Sequence, residues 1–240
     1  MLNEPAEGDS RNAESGGTPP ASPGCVVHGA QRDDQSSLRD HLGRSLWDSE
    51  RAATLLFADG RPVPPTLATR ALCYWNDRCL TVLFEGRCLS LRYAPEGTPA
   101  DPVTGKTLKL WELSDVFEFF VIPDVNNRCE YREFQVSPDG RWFDAAISGR
   151  GSDRHADTGW DSHSRFKSLV GMDDVKIWKA GMEIPWAALG VIPRKGLRVA
   201  ANFYRATGRF HGDELIAWSP TGYGERAFHR TEKYGLMQLI

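Results

Sequence analysis

Residues 116–122 constrain the fold of this chain more than any other stretch, because they form its densest apolar run. All of them except Glu118 are β-branched or aromatic, and Pro123-Asp124 follows as a turn signal at typical strand length. We therefore predict a central β-strand. Because side chains alternate between the faces of a strand, one face carries Phe117, Phe119 and Val121, and the other carries Val116, Glu118, Phe120 and Ile122.

Glu118 is the residue in this strand that needs an explanation. An unpaired charge among apolar neighbours is costly, so its carboxylate requires a basic partner, a hydrogen-bond donor, a metal or a ligand. A structural ion pair is the plain alternative to a functional role. Trp111, just before the strand, is the nearest large aromatic ring that could accompany Glu118 at a site.

The overall charge excludes several classes of partner. The net charge of −3 gives no electrostatic reason to expect nucleic acid or an anionic membrane surface. The start of the chain lacks the features of a secretory signal, and no apolar run approaches the length of a membrane span. We expect a soluble protein, cytoplasmic or of unknown compartment.

Eight tryptophans give more ring surface than a core of this size requires, so some rings could face a ligand.

The metal-binding residue types show no recognisable spacing. Five cysteines without a CxxC pair favour reduced, packed thiols over a disulfide framework or a zinc site. His155 and His163 lie in a polar loop and match no standard ligand spacing, so we interpret that loop as solvated. The residues themselves therefore indicate no cofactor.

The chain divides into a polar start and an apolar remainder. Residues 1–45 are rich in Gly, Ser, Pro, Asp and Arg, which predicts a disordered tail, and residues 46–240 are predicted to form one domain. Within this domain, short alternating runs are separated by turn signals, as at Asn76-Asp77 and at residues 137–140. A single helical turn is predicted at PWAALG. The fold class is all-β, an antiparallel sandwich of jelly-roll type.

The second of these hairpins presents a polar and aromatic row. Alternation directs Phe134 and Val136 to the core, which places Tyr131, Glu133 and Gln135 together on the opposite face. Aromatic rings beside polar side chains suit a small ligand that has a flat apolar face and polar edges, as sugars have.

Catalytic motifs are weak by comparison. TGKT at residues 104–107 lacks the first glycine of a phosphate loop and is followed by strand rather than helix. Glycoside hydrolysis needs two acids that face one bond, and several predicted strands carry one. The candidates are Glu118, Glu133, Asp144 and Glu183.

Five segments taken in order resemble the carbohydrate-binding module family 9-like domains, from about residue 70 to the C-terminus. They are LWELSDVFEFFVIPD, YREFQVSPDGRWFDA, WKAGMEIPWAALG, NFYR and the closing AWSPTG with FHRTEKYGLMQL. The resemblance implies a β-sandwich related to the DOMON superfamily and often appended to glycoside hydrolases. In the sugar-binding members, a terminal sugar lies between two aromatic rings with polar side chains around it, and some members carry structural calcium.

Transferred by position, the resemblance places the first ring at Trp111 and the second at Phe228, while Glu118 matches the acidic strand position. A sugar binder has a second tryptophan where this chain has Phe228 followed by His229, and a smaller ring stacks less surface. Ordinary core packing is the alternative role for both rings. The implied sugar-binding set is Trp111, Glu118, Glu133, Gln135, Phe228 and His229.

The expected function is non-catalytic binding of a mono- or oligosaccharide, in the context of polysaccharide or glycoside catabolism. Two alternatives stay open. One is a hydrolase acting on O-glycosyl bonds, which requires two acids at catalytic separation in one cleft. The other is a sandwich that has lost sugar binding and serves as an interaction or small-ligand module, which requires both rings to be buried.

Overall fold

A computed structural model describes residues 26–31, 37–171, 176–207, 215–224 and 227–240. Its helices are α1 (Leu38–Leu42), α2 (Leu110–Leu113) and α3 (Trp186–Leu189), with single 3-10 turns at Gly151–Asp153, Ala227–His229 and Thr231–Lys233. Its strands are β1 (Val26–Gln31), β2 (Ala53–Thr54), β3 (Leu56–Phe57), β4 (Thr69–Trp75), β5 (Cys79–Cys88), β6 (Val116–Ile122), β7 (Glu130–Val136), β8 (Trp142–Ser148), β9 (His155–Asp157), β10 (Arg165–Val170), β11 (Lys176–Pro185), β12 (Arg198–Ala206), β13 (Ile216–Ala217) and β14 (Gly235–Leu239).

Two sheets form the architecture. The front sheet has the order β14-β12-β6-β7-β8-β9, and the back sheet has the order β10-β11-β5-β4. Every pairing within these two runs is antiparallel. Strand β1 pairs in parallel with both β14 and β4 and so joins the sheets along one side. The predicted all-β sandwich is confirmed, with β6 at the predicted residues near the middle of the front sheet.

The inner faces of the two sheets meet in an aromatic core. Phe84 of β5 stacks on Phe117 of β6 with ring centroids 4.9 Å apart, and Phe117 stacks on Trp178 of β11 at 3.8 Å. Phe119 and Phe203 continue this core along β6 and β12. The predicted alternation is confirmed, because the residues of β6 on the other face belong to a separate cluster outside the sandwich.

The predicted turns are present. In the β4–β5 hairpin, the Asn76 side-chain oxygen accepts hydrogen bonds from the backbone N–H groups of Arg78 and Cys79, both at 2.9 Å. In the β7–β8 hairpin, Gly140 adopts φ 82°, a left-handed conformation that glycine accommodates without steric cost. The helical turn α3 ends at Gly190, as predicted.

Two segments within the predicted disordered tail are ordered, so that prediction is wrong for them, while residues 1–25 and 32–36 lie outside the described ranges. Strand β1 is held by backbone pairing to strands that are distant in sequence, which local composition does not reveal. Helix α1 begins with a capping box in which Ser37 and Asp40 bond each other's backbone N–H groups. Leu38 and Leu42 then pack on the outer face of the back sheet, against Leu72 and Leu83.

Helix α2 was not predicted, because the sequence indicated a helical turn only at PWAALG. It precedes β6 directly and starts after Lys109, whose backbone is left-handed at φ 54°. Leu110 is buried against the outer face of the front sheet, and Trp111 packs beside it. In the described ranges no helix is long and apolar enough to cross a membrane.

Candidate functional site

A cavity of about 700 Å³ lies on the outer face of the front sheet. Strands β6, β7 and β8 contribute to its lining, together with helix α2, the segment around β9 and the loop after β13. The lining residues are Trp111, Glu112, Glu118, Phe120, Glu133, Gln135, Phe143, Ile147, Arg154, Ala156, Thr158, Leu215, Gly224, Ala227, Phe228 and His229. All six residues of the predicted sugar-binding set are therefore brought together around one cavity. Their role in holding a sugar stays a prediction.

The polar part of the lining comes from two neighbouring strands. Gln135 of β7 lies opposite Glu118 of β6, and Glu133 lies two residues before Gln135 on the same face of β7. The Gln135 amide nitrogen donates to Glu133 Oε1 at 2.6 Å and also hydrogen-bonds the Glu118 carboxyl group. We call these three side chains the Glu–Gln–Glu row.

Burial controls the protonation of the row. Glu118 is 2% exposed and Glu133 is 6% exposed. Loss of hydration raises the pKa of Glu118 well above its usual value, and the neighbouring Glu133 charge raises it further. Burial likewise raises the pKa of Glu133 to about 7, while Gln135 and Arg154 oppose that shift. The two acids therefore bind protons that exposed glutamates would release near neutral pH.

No basic side chain of the described residues forms an ion pair with the row. Across the described ranges, neither Glu118 nor Glu133 has a Lys, Arg or His nitrogen within 4.0 Å. The plain alternative for Glu118, a structural ion pair, is therefore not formed among the described residues, where its partner is the Gln135 amide. Gln135 Oε1 is buried and has no hydrogen-bond partner among the described residues, and the same holds for Arg154 Nη1. A polar ligand in the cavity would supply partners for both atoms.

The two predicted stacking rings differ in their surroundings. Trp111 is half-buried on α2, and its ring meets the Phe143 ring edge-to-face at 5.7 Å between centroids. Phe228 is only 6% exposed and stacks on Tyr204 at 3.8 Å. Because Tyr204 covers one face of Phe228, only the other face is left for a ligand. Phe228 is thus part of the packed wall as well as a lining residue.

His229 follows Phe228 in the same 3-10 turn and is fixed by the sheet beneath it. Its Nδ1 atom lies 2.8 Å from the Tyr131 hydroxyl group. Its ring also meets Phe120 edge-to-face at 5.4 Å. The row of Tyr131, Glu133 and Gln135 predicted on one face of β7 is confirmed, with Tyr131 acting as a support for His229.

Sequence reasoning missed several lining residues. Phe143 and Ile147 lie on β8, the second strand of the predicted hairpin, opposite Gln135 and Tyr131 of β7. Applying the two-residue alternation to β8 as well as to β7 would have identified them. Arg154 and Thr158 lie in the polar stretch interpreted as a solvated loop, and no local pattern distinguishes them. Their positions depend on the pairing of β9 with β8.

The other candidate acids lie away from the cavity. Asp144 forms a buried ion pair with Lys106, the lysine of TGKT, at 2.5 Å. Lys106 also donates to the backbone carbonyl groups of Asp144, Thr158 and Trp160, so this lysine is a structural cation. Glu183 pairs with Arg165 at 2.7 Å. Glu118 and Glu133 are therefore the two acids of the four that line the cavity.

Metal ligands are not clustered in the part of the chain that the structure describes. No group of three or more His, Cys, Asp or Glu side chains there could hold a metal ion. His155 is exposed on β9, and His163 contacts Asp161 at 3.2 Å. Four described cysteines are free thiols, and Cys73 and Cys88 among them are buried.

The fold and the cavity together define a two-sheet β-sandwich with a deep concave site on one outer face. No protein-family model matches the sequence, and a comparison with curated proteins finds no match either. Solved structures do match. A candidate carbohydrate-binding protein from Bacteroides uniformis is similar over 90% of this chain and 100% of that chain, with a TM-score of 0.64 and 20% identity.

Two further matches are structures of a family 9 carbohydrate-binding module from Caldicellulosiruptor kristjanssonii. Its complex with glucose covers 90% of this chain and 95% of that chain, with a TM-score of 0.55 and 13% identity. Its complex with cellotriose covers 89% and 93%, with a TM-score of 0.57 and 14% identity. The protein thus has the fold of a family 9-like carbohydrate-binding module.

Proposed function

We propose that the protein binds a mono- or oligosaccharide in this cavity without cleaving it, in the context of polysaccharide or glycoside catabolism. The observation that carries the proposal is the placement of the Glu–Gln–Glu row beside Trp111 in a concave site. A cavity of about 700 Å³ lies within the ~300–1,000 Å³ range of small-molecule sites. Similarity in fold to a module solved with glucose and with cellotriose supports the same ligand class.

Each part of the cavity has a role in this proposal. Trp111 supplies the more exposed ring and stacks on the apolar face of the sugar. The carboxyl groups of Glu118 and Glu133 and the amide oxygen of Gln135 accept hydrogen bonds from sugar hydroxyl groups. Phe228 and His229 close the opposite wall, and Arg154 donates to a hydroxyl oxygen.

Hydrolysis is the weaker alternative, although two acids with raised pKa values share the cavity. A glycosidase places its two carboxyl groups on either side of the scissile bond, about 5–10 Å apart. Here one amide group, that of Gln135, hydrogen-bonds both carboxyl groups. Gln135 therefore already engages both acids that a hydrolase would need.

Titration calorimetry with glucose and cellotriose tests the proposal. One sugar buries little area and gives up hydrogen bonds to water, so we expect a dissociation constant of roughly 1 µM to 1 mM, about −8 to −4 kcal/mol. Trp111→Ala should abolish measurable binding while far-UV spectra show an intact fold. Trp142→Ala is the matched control, because Trp142 stacks on Phe166 and does not line the cavity.

Three results would overturn the proposal. Absence of binding by both glucose and cellotriose would favour a sandwich that has lost sugar binding. Unfolding of Trp111→Ala would make this ring a core residue. Release of reducing ends from cellotriose by the wild type, stopped by Glu118→Gln, would establish the hydrolase alternative.

A further inference from the structure

The Glu–Gln–Glu row holds two buried acids that form no ion pair with any of the described residues. In the described part of the chain, the Gln135 amide is the donor that reaches both carboxyl groups, and no basic nitrogen lies within ion-pair distance of them. Gln135 is 1% exposed and lines the cavity, and its Oε1 atom has no partner among these residues. Buried acids in proteins are normally paired with a cation or a metal.

We propose that the ligand of this cavity is an amino sugar whose ammonium group binds the Glu–Gln–Glu row. This inference rests on the proposed sugar-binding function and specifies its ligand class.

The geometry of the row matches an ammonium group. Such a group has three N–H donors and no acceptor, and the row offers three acceptors, which are the two carboxylates and Gln135 Oε1. The orientation of the Gln135 amide follows from its bonds, because its nitrogen donates to the acids and its oxygen is therefore left over. A neutral hydroxyl group brings a single donor and so can bond only one of these acceptors.

The walls favour a cation in the same place. Phe120 belongs to β6 beside Glu118, and Phe143 lies opposite Gln135 on β8. Trp111 packs against Phe143. Aromatic faces attract cations most strongly where water is excluded. An ammonium group on the row would thus lie between carboxylates and rings.

A sugar, rather than a simple amine, accounts for Arg154. Its side chain hydrogen-bonds the Tyr131 hydroxyl group, while its buried Nη1 atom has no hydrogen-bond partner among the described residues. A ligand therefore needs an acceptor oxygen at this position and an ammonium group at the row. The cavity of about 700 Å³ has space for a ring that carries both.

Several charged or titratable groups surround the row and enter its pH dependence. They are Arg154, His229, Tyr131, Tyr204, Tyr234 and, at the rim, Glu112. The tyrosines have pKa values raised by burial and stay neutral at pH 5 to 7. His229 is held at Nδ1 by the Tyr131 hydroxyl group, 2.8 Å away.

Calorimetry at pH 7 with glucosamine, glucose and N-acetylglucosamine tests the inference. The three sugars share one ring, and only glucosamine carries a positive charge. We expect glucosamine to bind about tenfold or more tightly than the other two, since hydrogen bonds to charged groups exceed those between neutral groups by about this factor. At pH 5 the advantage should shrink, because protonated carboxyl groups no longer attract the ammonium group. Titrations in buffers of different ionisation enthalpy should show proton release for glucosamine at pH 7.

Two variants separate direct contact from general negative potential. Glu133→Gln keeps the shape of the side chain and should reduce the preference for glucosamine to about unity. Glu130→Gln removes an exposed carboxylate of the same strand that does not line the cavity and should leave the preference unchanged. Glu118→Gln provides a second test of the row should Glu133→Gln fold poorly.

Equal affinities for glucose and glucosamine would overturn this inference and leave the proposed sugar binding intact. Tighter binding of N-acetylglucosamine than of glucosamine would also overturn it, because the acetyl group would then be the recognised feature. An unchanged preference in both Glu133→Gln and Glu118→Gln would contradict the assignment to the row. Absence of binding by all three sugars and by cellotriose would overturn this inference and the proposed function together.

Discussion

Two buried acid sites on the front sheet differ in how their charge is balanced. Asp144 of β8 and Lys106 are both 0% exposed, form an ion pair at 2.5 Å, and the lysine also contacts three backbone carbonyl groups. Glu118 and Glu133, on the opposite face of the sheet, share one neutral amide. The first site is complete without a ligand, whereas the second has unmet acceptors.

This difference separates structural from functional use of a buried acid. Lys106 anchors the loop before α2 to the segment around Trp160, and every charge there has its partner within the protein. The Glu–Gln–Glu row borders a cavity and retains its protons to avoid buried charge. Perturbed carboxyl groups in a concave site are typical of functional positions. Removing the Lys106–Asp144 pair should therefore lower the stability of the fold, whereas removing the Glu–Gln–Glu row should affect ligand binding.

The largest effect is expected for Lys106→Met. This change keeps the length of the side chain but leaves the Asp144 carboxylate buried without its cation, so the free energy of unfolding should fall by about 3–5 kcal/mol. Urea unfolding at 25 °C measures it. The matched control is Lys109→Met, which removes an exposed partner of Glu112 and should change stability by less than about 0.5 kcal/mol. Equal effects of the two substitutions would contradict a structural role for Lys106.

Phe228→Ala should come next in size. Phe228 is buried and stacked on Tyr204, so truncation leaves a cavity in the packed wall and should lower the free energy of unfolding by about 3 kcal/mol. Trp111→Ala removes a half-buried ring and should cost about 1 kcal/mol or less. Denaturant unfolding of both variants provides the comparison. A larger loss of unfolding free energy for Trp111→Ala than for Phe228→Ala would show that Trp111 is the structural ring.

A smaller effect should appear in the pH dependence of stability. Because the pKa of Glu133 is raised from 4.5 to about 7 in the folded protein, the folded state binds a proton that the unfolded chain releases. The stability from this proton is fully present below about pH 4.5 and is lost as the pH rises through about 7. Glu133→Gln should therefore match the wild type at pH 5 and exceed it at pH 8, by an amount on the order of 2–3 kcal/mol.

Melting temperatures of the wild type and Glu133→Gln, measured between pH 5 and pH 8, check whether the two proteins diverge in stability as the pH rises. Asp144→Asn offers a contrast at the paired site, where the loss should persist at both pH values because the lysine then lacks its partner. A Glu133→Gln variant that is less stable than the wild type at pH 8 would show that the charged carboxylate stabilises the fold.

The sequence predicted the faces of the strands and the pairing within two hairpins, but not the pairing of β6 with β7 or the contacts between distant segments. A period of two in residues 116–122 and 131–136 is enough to place Glu118 on one face of its strand and Glu133 with Gln135 on one face of theirs. The register that sets Glu118 opposite Gln135 depends on the pairing of β6 with β7, which no local pattern encodes. The pairing of Lys106 with Asp144 spans 38 residues and was equally hidden.

The ordered segments within the predicted tail show the same limit. Ser37 and Asp40 carried a capping signal, and Leu38, Leu42 and Leu46 follow at helical spacing, so α1 could have been predicted from these residues. Strand β1 carried no such signal, because its two parallel partners are β4 and β14 at opposite ends of the domain. The average composition of residues 1–45 gave no indication of either α1 or β1.

The most direct test of sugar binding in this cavity is a crystal structure of the protein grown with saturating glucose. We predict that the sugar lies in the cavity, with its ring against Trp111 and its hydroxyl groups within hydrogen-bond distance of Glu118, Glu133 or Gln135. A sugar bound elsewhere on the molecule, or no bound sugar at a concentration that saturates the calorimetric signal, would contradict the account.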